Sequence, residues 1–189
     1  MIKTYKIIYA DPPWFYKDNS YQSRTKSQRT DNTAASQYPC MPHDEMLKDI
    51  APLMNSLADP IGCVMFMWIT NKHFPEAIEL GQAAGFEWVN MAFVWDKESP
   101  RFGRYTNFQY EFVGFFKKGK PVVSLGNVEN TKISQKISAP RRQHSRKPHE
   151  VREAIEQLWP EASKIEMFAR YEHPGWDVYG NEVNKFYAK

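Results

Sequence analysis

Apolar residues fall along the chain in short runs, separated by polar stretches that carry proline or glycine. The first run, Ile7-Ile8-Tyr9-Ala10, predicts a short buried strand. Cys63 to Ile69 is continuously apolar between Gly62 and Asn71, which predicts a strand buried on both faces of a parallel sheet. Between these runs, Leu47, Ile50, Leu53, Met54 and Leu57 share one helical face. Pro42-His43-Asp44-Glu45 supplies the start of that helix, with an early proline and first-turn carboxylates, and Asp59-Pro60 stops it. A second helix has Pro75 near its start, Ile78, Leu80 and Ala83 among its apolar residues, and Gly85 as its C-terminal cap. Phe86 to Asp96 reads as a strand, Ser99 to Asn107 as a basic loop, Tyr110 to Phe116 as a strand and Lys117 to Lys120 as a turn.

Pro121 to Leu125 forms a further short strand in this reading, and Pro148 is the first residue of a third helix whose apolar face is Val151, Ala154, Ile155 and Leu158. Lys164 to Arg170 alternates with period two, Ile165, Met167 and Ala169 against Glu166, Phe168 and Arg170. Residues 175–181 close the pattern with a turn and a short edge strand. Strands alternating with helices argue for an α/β fold with a largely parallel sheet. No repeat or linker divides the 189 residues, so a single domain over 1–189 is expected.

Composition changes this picture little. Hydrophobic content of 42% and charged content of 25% are ordinary for a globular protein. The aromatic content of 15% is high, and aromatics serve both as core and as stacking platforms for bases. A formal net charge of +3 permits a nucleic-acid partner without requiring one. Cys40 and Cys63 lie far apart with no CxxC, and the five histidines have no metal-ligand spacing. No disulfide framework and no metal site are therefore expected, and a reducing cytoplasm suits the chain. Its first residues lead straight into a strand with no signal peptide, and no apolar run is long enough to cross a membrane.

The chemistry starts at Asp11-Pro12-Pro13-Trp14, directly after the first strand. Each proline fixes φ and removes an N–H, so the turn is stiff and extended, and no donor within the motif is expected to use its carbonyls. It offers the Asp11 carboxylate and the Asp11 and Pro12 carbonyls as acceptors, beside the flat face of Trp14. Acceptors beside a stacking surface suit a planar group with an exocyclic amine, such as adenine or cytosine. A proline-rich turn with a core tryptophan is the competing reading, with about equal weight. Residues 15–37 form a long polar loop made basic by Arg24, Lys26 and Arg29. Residues 132–147 form a second basic stretch that includes Arg141, Arg142, Arg146 and Lys147 and has no acidic residue. Either is a solvated surface or a contact for a phosphate backbone.

These blocks, in this order, resemble the MT-A70 family of adenine methyltransferases. The resemblance rests on Ala10-Asp11-Pro12-Pro13-Trp14, Tyr38 to Met46, Phe66 to Asn71, Tyr110 to Gly119, Ser145 to Glu150, Lys164 to Arg170, and Gly175 to Glu182. It implies a Rossmann-like sheet in the permuted order, with the target-base motif early and the cofactor strand late. It also implies S-adenosylmethionine as methyl donor, S-adenosylhomocysteine as product and no metal. By the same resemblance Asp11, Pro12, Pro13 and Trp14 form the catalytic motif. Tyr38, Glu111 and Arg142 are then substrate-binding candidates; Glu111 reads equally well as an edge-strand surface residue. Asp11, Lys147, Glu166, Arg170, Asn181 and Glu182 are the cofactor-binding candidates. Lys147 would take the cofactor carboxylate at a helix start, Arg170 and Asn181 the ribose, and His173 stands near a family polar position.

The chain departs from the family pattern in four respects: Phe168-Ala169-Arg170 stands in place of a glycine-rich turn after the cofactor strand, as it often does in this family, only nine residues precede Ala10, the spacing around His173 differs, and no separate target-recognition domain is expected. The expected function is N6-adenine methylation of DNA, in a bacterial or phage-infected cell. RNA methylation is the alternative, as is a silent nucleic-acid-binding subunit. A homodimer would extend the nucleic-acid surface.

Overall fold

The computed structural model describes residues 3–15, 40–101, 105–121, 132–141 and 146–180. Seven strands form one sheet: β1 Ile7–Ala10, β2 Gly62–Ile69, β3 Glu87–Arg101, β4 Phe108–Gly119, β5 Lys136–Ser138, β6 Lys164–Met167 and β7 Asp177–Tyr179. Their order is β5-β3-β4-β2-β1-β6-β7. β1 lies at the centre of a parallel block, paired with β2 on one side and β6 on the other, and β7 extends the block at its edge. β3 and β5 are also parallel. Among the described strands β4 is the exception, antiparallel to both β2 and β3. The sheet is mostly parallel, as expected: β3, after the second helix, crosses over to run in the direction of β2, and β4 returns from it as a hairpin between the two.

Both faces of the sheet are covered. On one face lie α1, built from His43–Glu45, a π-turn Met46–Ile50 and Ala51–Leu57, and α2, Phe74–Ala83. They pack Met46, Ile50, Met54, Ala77 and Leu80 against Ile8, Ala10, Met65, Met67 and Ile69. On the other face α3, His149–Leu158, packs Val151, Ala154 and Ile155 against Ile7, Tyr9, Val64, Phe66 and Trp68. The period-two pleat therefore divides each central strand between two cores. All eight residues of β2 are buried, which explains its continuous apolar run. Each fully buried Ile, Leu or Met contributes about 1.5–3 kcal/mol, against about 0–1 for an exposed ion pair, so this packing dominates the frame.

Local expectations hold in part. Gly85 caps α2 with φ +79°, and Phe86 N–H closes back on the Gly81 carbonyl at 2.9 Å. The π-turn in α1 was not anticipated. It precedes Pro52, whose missing N–H suits the first turn of the helical segment that follows. The region 99–107 is only partly a loop, because β3 continues to Arg101 through an irregular register. Lys117 to Gly119 belong to β4 and not to a turn, and Lys120 N–H bonds the Ile61 carbonyl at 2.9 Å. Pro148 caps α3 instead of entering it. β6 ends at Met167, and Phe168 turns the chain with φ +63°, so Arg170 lies beyond the strand. The second basic stretch contains a strand, β5, that its polar composition concealed. The expected strand at 121–125 lies outside the described residues beyond Pro121.

Candidate active site

The sheet's register gathers charge at one edge. β1, β2 and β6 are parallel, so Asp11, Thr70 and Phe168 follow at the same end. β4 runs the other way: Ile69 pairs with Phe112, which sets Glu111 just beyond the carboxyl end of β2. Trp95 pairs with Glu111, so Lys97 arrives at that edge on β3. Alternation then selects the face. Tyr9, Trp68, Trp95 and Val113 belong to the α3-side core, and Asp11, Lys97 and Glu111 share their parity. Lys147, immediately ahead of α3, reaches the same place from above the sheet.

There the four charges alternate. Lys147 Nζ lies 2.9 Å from Asp11 Oδ1 and 3.4 Å from Glu111 Oε2, and Lys97 Nζ bonds Glu111 Oε1. Burial alone would push the Glu111 carboxyl up; the Lys147 and Lys97 ammoniums outweigh it and hold the group below its ordinary value. Burial pulls Lys97 down, opposed by Glu111. Each lysine also rests over an indole, Lys147 at 5.3 Å from Trp68 and Lys97 at 5.1 Å from Trp95. The two indoles meet edge to face at 6.0 Å. Glu111 is thus an interior-strand residue between two cations, which overturns its reading as an edge-strand surface group.

The Asp11-Pro12-Pro13-Trp14 turn is held from behind. Trp14 is 4% exposed, donates its indole N–H to the Trp68 carbonyl at 3.2 Å, and stacks on His73 at 5.4 Å. The face covered by His73 is closed to a base, and Trp14 acts as a core anchor for the turn. Trp14 N–H also donates to the Pro12 carbonyl at 2.9 Å, and Met41 N–H to that of Pro13 at 2.9 Å. The motif's carbonyls therefore do have neighbouring donors, contrary to the sequence expectation. Pro12 retains a second lone pair.

His73 faces the Phe15 carbonyl through Nε2 at 3.2 Å and the Thr70 hydroxyl through Nδ1 at 2.8 Å. Burial lowers its pKa, so the ring is neutral, donating from Nε2 and accepting at Nδ1. Trp14 and His73 also line a cleft of about 620 Å³ with Phe15, Met41, His43 and Glu76.

A second buried cluster lies across β1, toward β6. Tyr9 and Glu166 are paired in register, and α3 brings Arg152 over them. Arg152 Nε donates to Glu166 Oε2 at 3.0 Å and Nη2 to the Tyr171 hydroxyl at 3.2 Å; Nη1 donates to His173 Nε2. Burial raises the Glu166 carboxyl, and the single Arg152 guanidinium reduces that rise without cancelling it. Burial and the Arg152 guanidinium lower His173, which leaves its Nε2 free to accept. Tyr9, whose phenol burial pushes well up, accepts from Trp68 Nε1 at 2.6 Å and so links the two clusters.

Of the residues singled out from sequence, the fold brings Asp11, Glu111 and Lys147 into direct contact. Glu166 lies beside them on the next strand, and Arg170 follows β6, half-buried. Tyr38, Arg142, Asn181 and Glu182 lie outside the described residues. Lys97, Arg152, His73 and Trp68 were missed. Glu166 carried the one usable signal, because a strand carboxylate among apolar neighbours demands a partner. Within the second basic stretch Lys136 pairs with Asp96 at 2.9 Å, and Arg141 donates to the Phe108 carbonyl at 3.3 Å. Among the described residues no group of three or more His, Cys, Asp or Glu side chains could hold a metal ion. No helix there is long and apolar enough to cross a membrane.

The sequence model of the MT-A70 family matches residues 5–182. Type II methyltransferase M.MunI of a Mycoplasma species is 37% identical over 190 residues, covering 96% of this chain and 78% of that protein. An N(6)-adenosine-methyltransferase MT-A70-like protein of Arabidopsis thaliana is 27% identical over 198 residues, covering 97% of this chain and 24% of its own length. The human N(6)-adenine-specific methyltransferase METTL4 is 28% identical over 204 residues, covering 97% of this chain and 38% of that protein. The chain thus spans most of the Mycoplasma protein and well under half of the two eukaryotic ones.

Proposed function

From the premise that the chain belongs to the MT-A70 family, we propose that it transfers a methyl group from S-adenosylmethionine to the N6 amine of adenine in DNA. It is an adenine-N6 methyltransferase of Rossmann-like fold, and we read residues 1–189 as one methyltransferase domain. The observation that carries the reading is the Asp11–Lys147 pair, 2.9 Å apart at the carboxyl end of β1. Ligands of open α/β sheets bind beyond such strand ends. A carboxylate beside an ammonium complements an amino-acid zwitterion, so this donor set fits the methionine end of the cofactor. Lys147, beside the start of α3, would hold the carboxylate and Asp11 the ammonium; Glu166 and Arg170 would flank the ribose side. When bound, the cofactor supplies a methyl group activated on a sulfonium.

The protein's own part is electrostatic. The adenine amine is a weak nucleophile because its lone pair is delocalised into the ring. Accepting its N–H bonds at the Asp11 carboxylate and the remaining Pro12 lone pair favours a pyramidal nitrogen. Positive charge would grow on that nitrogen as its bond to the methyl forms and the carbon–sulfur bond breaks to leave a neutral thioether; the acceptors would stabilise that charge until one N6 proton passes to solvent. Trp14 fixes the turn, and its burial assigns base stacking to other residues. Duplex DNA requires the adenine to leave the stack. DNA is preferred because a relative matched over most of both chains is a Type II methyltransferase, and the human relative is named for adenine.

The test is labelled methyl transfer from S-adenosylmethionine to DNA and RNA panels, with Asp11→Ala as control. N6-methyladenine in DNA, absent with Asp11→Ala, is expected. Transfer to RNA alone would move the substrate, and transfer to no adenine polymer would overturn the activity.

A further inference from the structure

We infer that Lys97 is a positioning residue that, through Glu111, holds Lys147 against Asp11. The inference rests on the reading of Asp11 and Lys147 above and deepens it. Lys97 contacts neither of them: its described partners are Glu111 and the face of Trp95. Its side chain is 14% exposed, and burying an ammonium is costly unless a partner compensates.

The distances show what that partner gains. Glu111 meets Lys97 through Oε1, which leaves Oε2 to meet Lys147 at 3.4 Å. Lys147 stands closer to Asp11, at 2.9 Å. The ammonium therefore leans toward the strand end where the ligand is proposed to bind. Without Lys97, Glu111 would be a buried carboxylate with Lys147 as its remaining close cation, and the shortest route to compensation would draw Lys147 off Asp11. The charged groups acting on Glu111 are Lys147 before α3 and Lys97 on β3; Arg141, after β5, acts on Lys97, and Asp11, after β1, faces Lys147. The tryptophans beneath both lysines fix the spacing, since Trp68 and Trp95 pack on one another.

The experiment measures binding of S-adenosylhomocysteine by calorimetry, together with kcat, the KM for S-adenosylmethionine, and Tm. The variants are Lys97→Met, Lys97→Arg, Glu111→Gln, the Lys97→Met/Glu111→Gln double variant, and Lys147→Ala. Lys97→Met is expected to weaken binding and raise KM by about tenfold, a usual size for coupling within one charge network. Lys97→Arg should restore most of it, and in the Glu111→Gln background Lys97→Met should add nothing.

A merely structural lysine would lower Tm and the active fraction while leaving Kd and KM alone, and that result would overturn the proposal. An equal loss with and without Glu111 would also overturn it, because Lys97 would then act by another route. If Lys147→Ala weakens binding and Lys97→Met does not, the positioning role alone fails. If Lys147→Ala leaves binding unchanged, the cofactor reading beneath it fails.

Discussion

Two carboxylates, Glu111 and Glu166, are buried on the same face of the sheet, on either side of the β1–β2 pair, and they titrate in opposite directions. Glu111 stands between two ammoniums and is held below its ordinary value. Glu166 has one guanidinium and is raised. Desolvation acts on both; the difference is the number of cations within reach. Two cations make the Glu111 side a firmly ionised ladder with charge to share with Asp11. One cation leaves the Glu166 carboxyl raised by burial, and Arg152 also donates to Tyr171 and His173. The first arrangement suits holding charge for a ligand. The second suits holding a helix and a strand in register.

Asp11→Ala should break the comparison most severely. It removes the acceptor and Lys147's nearest anion together, and methyl transfer should fall by about 10²–10³-fold or more while the protein stays folded. Steady-state transfer assays paired with circular dichroism check both halves. On the other side, Arg152→Met leaves Glu166 buried without its cation, which should cost about 3–5 kcal/mol of stability. Denaturant unfolding measures it, and Arg152→Lys should restore little, because a lysine cannot reach Glu166, Tyr171 and His173 at once.

Smaller and more diagnostic is the pH dependence. With its pKa below the ordinary 4.5, Glu111 contributes stability that is present above about pH 4.5 and lost as pH falls through the folded value. With its pKa above 4.5, Glu166 contributes stability that is present below about pH 4.5 and lost as pH rises through the folded value. Relative to the parent, Glu111→Gln should lose ground as pH rises through this range and Glu166→Gln should gain. Thermal melts of the three proteins between about pH 3 and 7 would show slopes of opposite sign, on the acid side for Glu111 and above about pH 4.5 for Glu166, and parallel slopes would remove the contrast.

The smallest effect is expected at Asp96, which precedes Lys97 on β3 and pairs with Lys136 of β5. Lys136, then the Gln109 amide and the Glu98 N–H, hold it at about 2, so its contribution is present above 3.8 and lost as pH falls through about 2. Asp96→Asn should speed amide exchange at Val94, whose N–H donates to the Gln135 carbonyl, and at Ala139, whose N–H donates to the Asp96 carbonyl, and leave methyl transfer unchanged.

The sequence made the frame legible where one residue type meets one physical demand. The unbroken apolar run at 63–69 demanded burial on both faces, and Gly85 marked a left-handed cap. Asp11 was legible because a carboxylate after a strand has a position defined by local chain geometry, and Lys147 through the resemblance of Ser145-Arg146-Lys147-Pro148 to the family's block at a helix start. Lys97 was not, because Asp96-Lys97-Glu98 reads as an ordinary polar strand end until register sets it beside Glu111. Arg152 was concealed among Glu150, Glu153 and Glu156, where a solvated helix face is the natural expectation. The antiparallel course of β4 had no local signature: Phe108 to Gly119 is equally good strand in either direction, and tertiary pairing decides.

That antiparallel course has a geometric consequence. A parallel strand needs a crossover, and altering its length disturbs a packed helix. The link between β3 and β4 belongs to a hairpin, and it opens at the same edge as Asp11 and Lys147. Insertions there can lengthen without shifting Glu111, whose place is set by pairing with Trp95. A change in that link's length would thus leave the Asp11–Lys147 pair where the parallel strands and α3 set it.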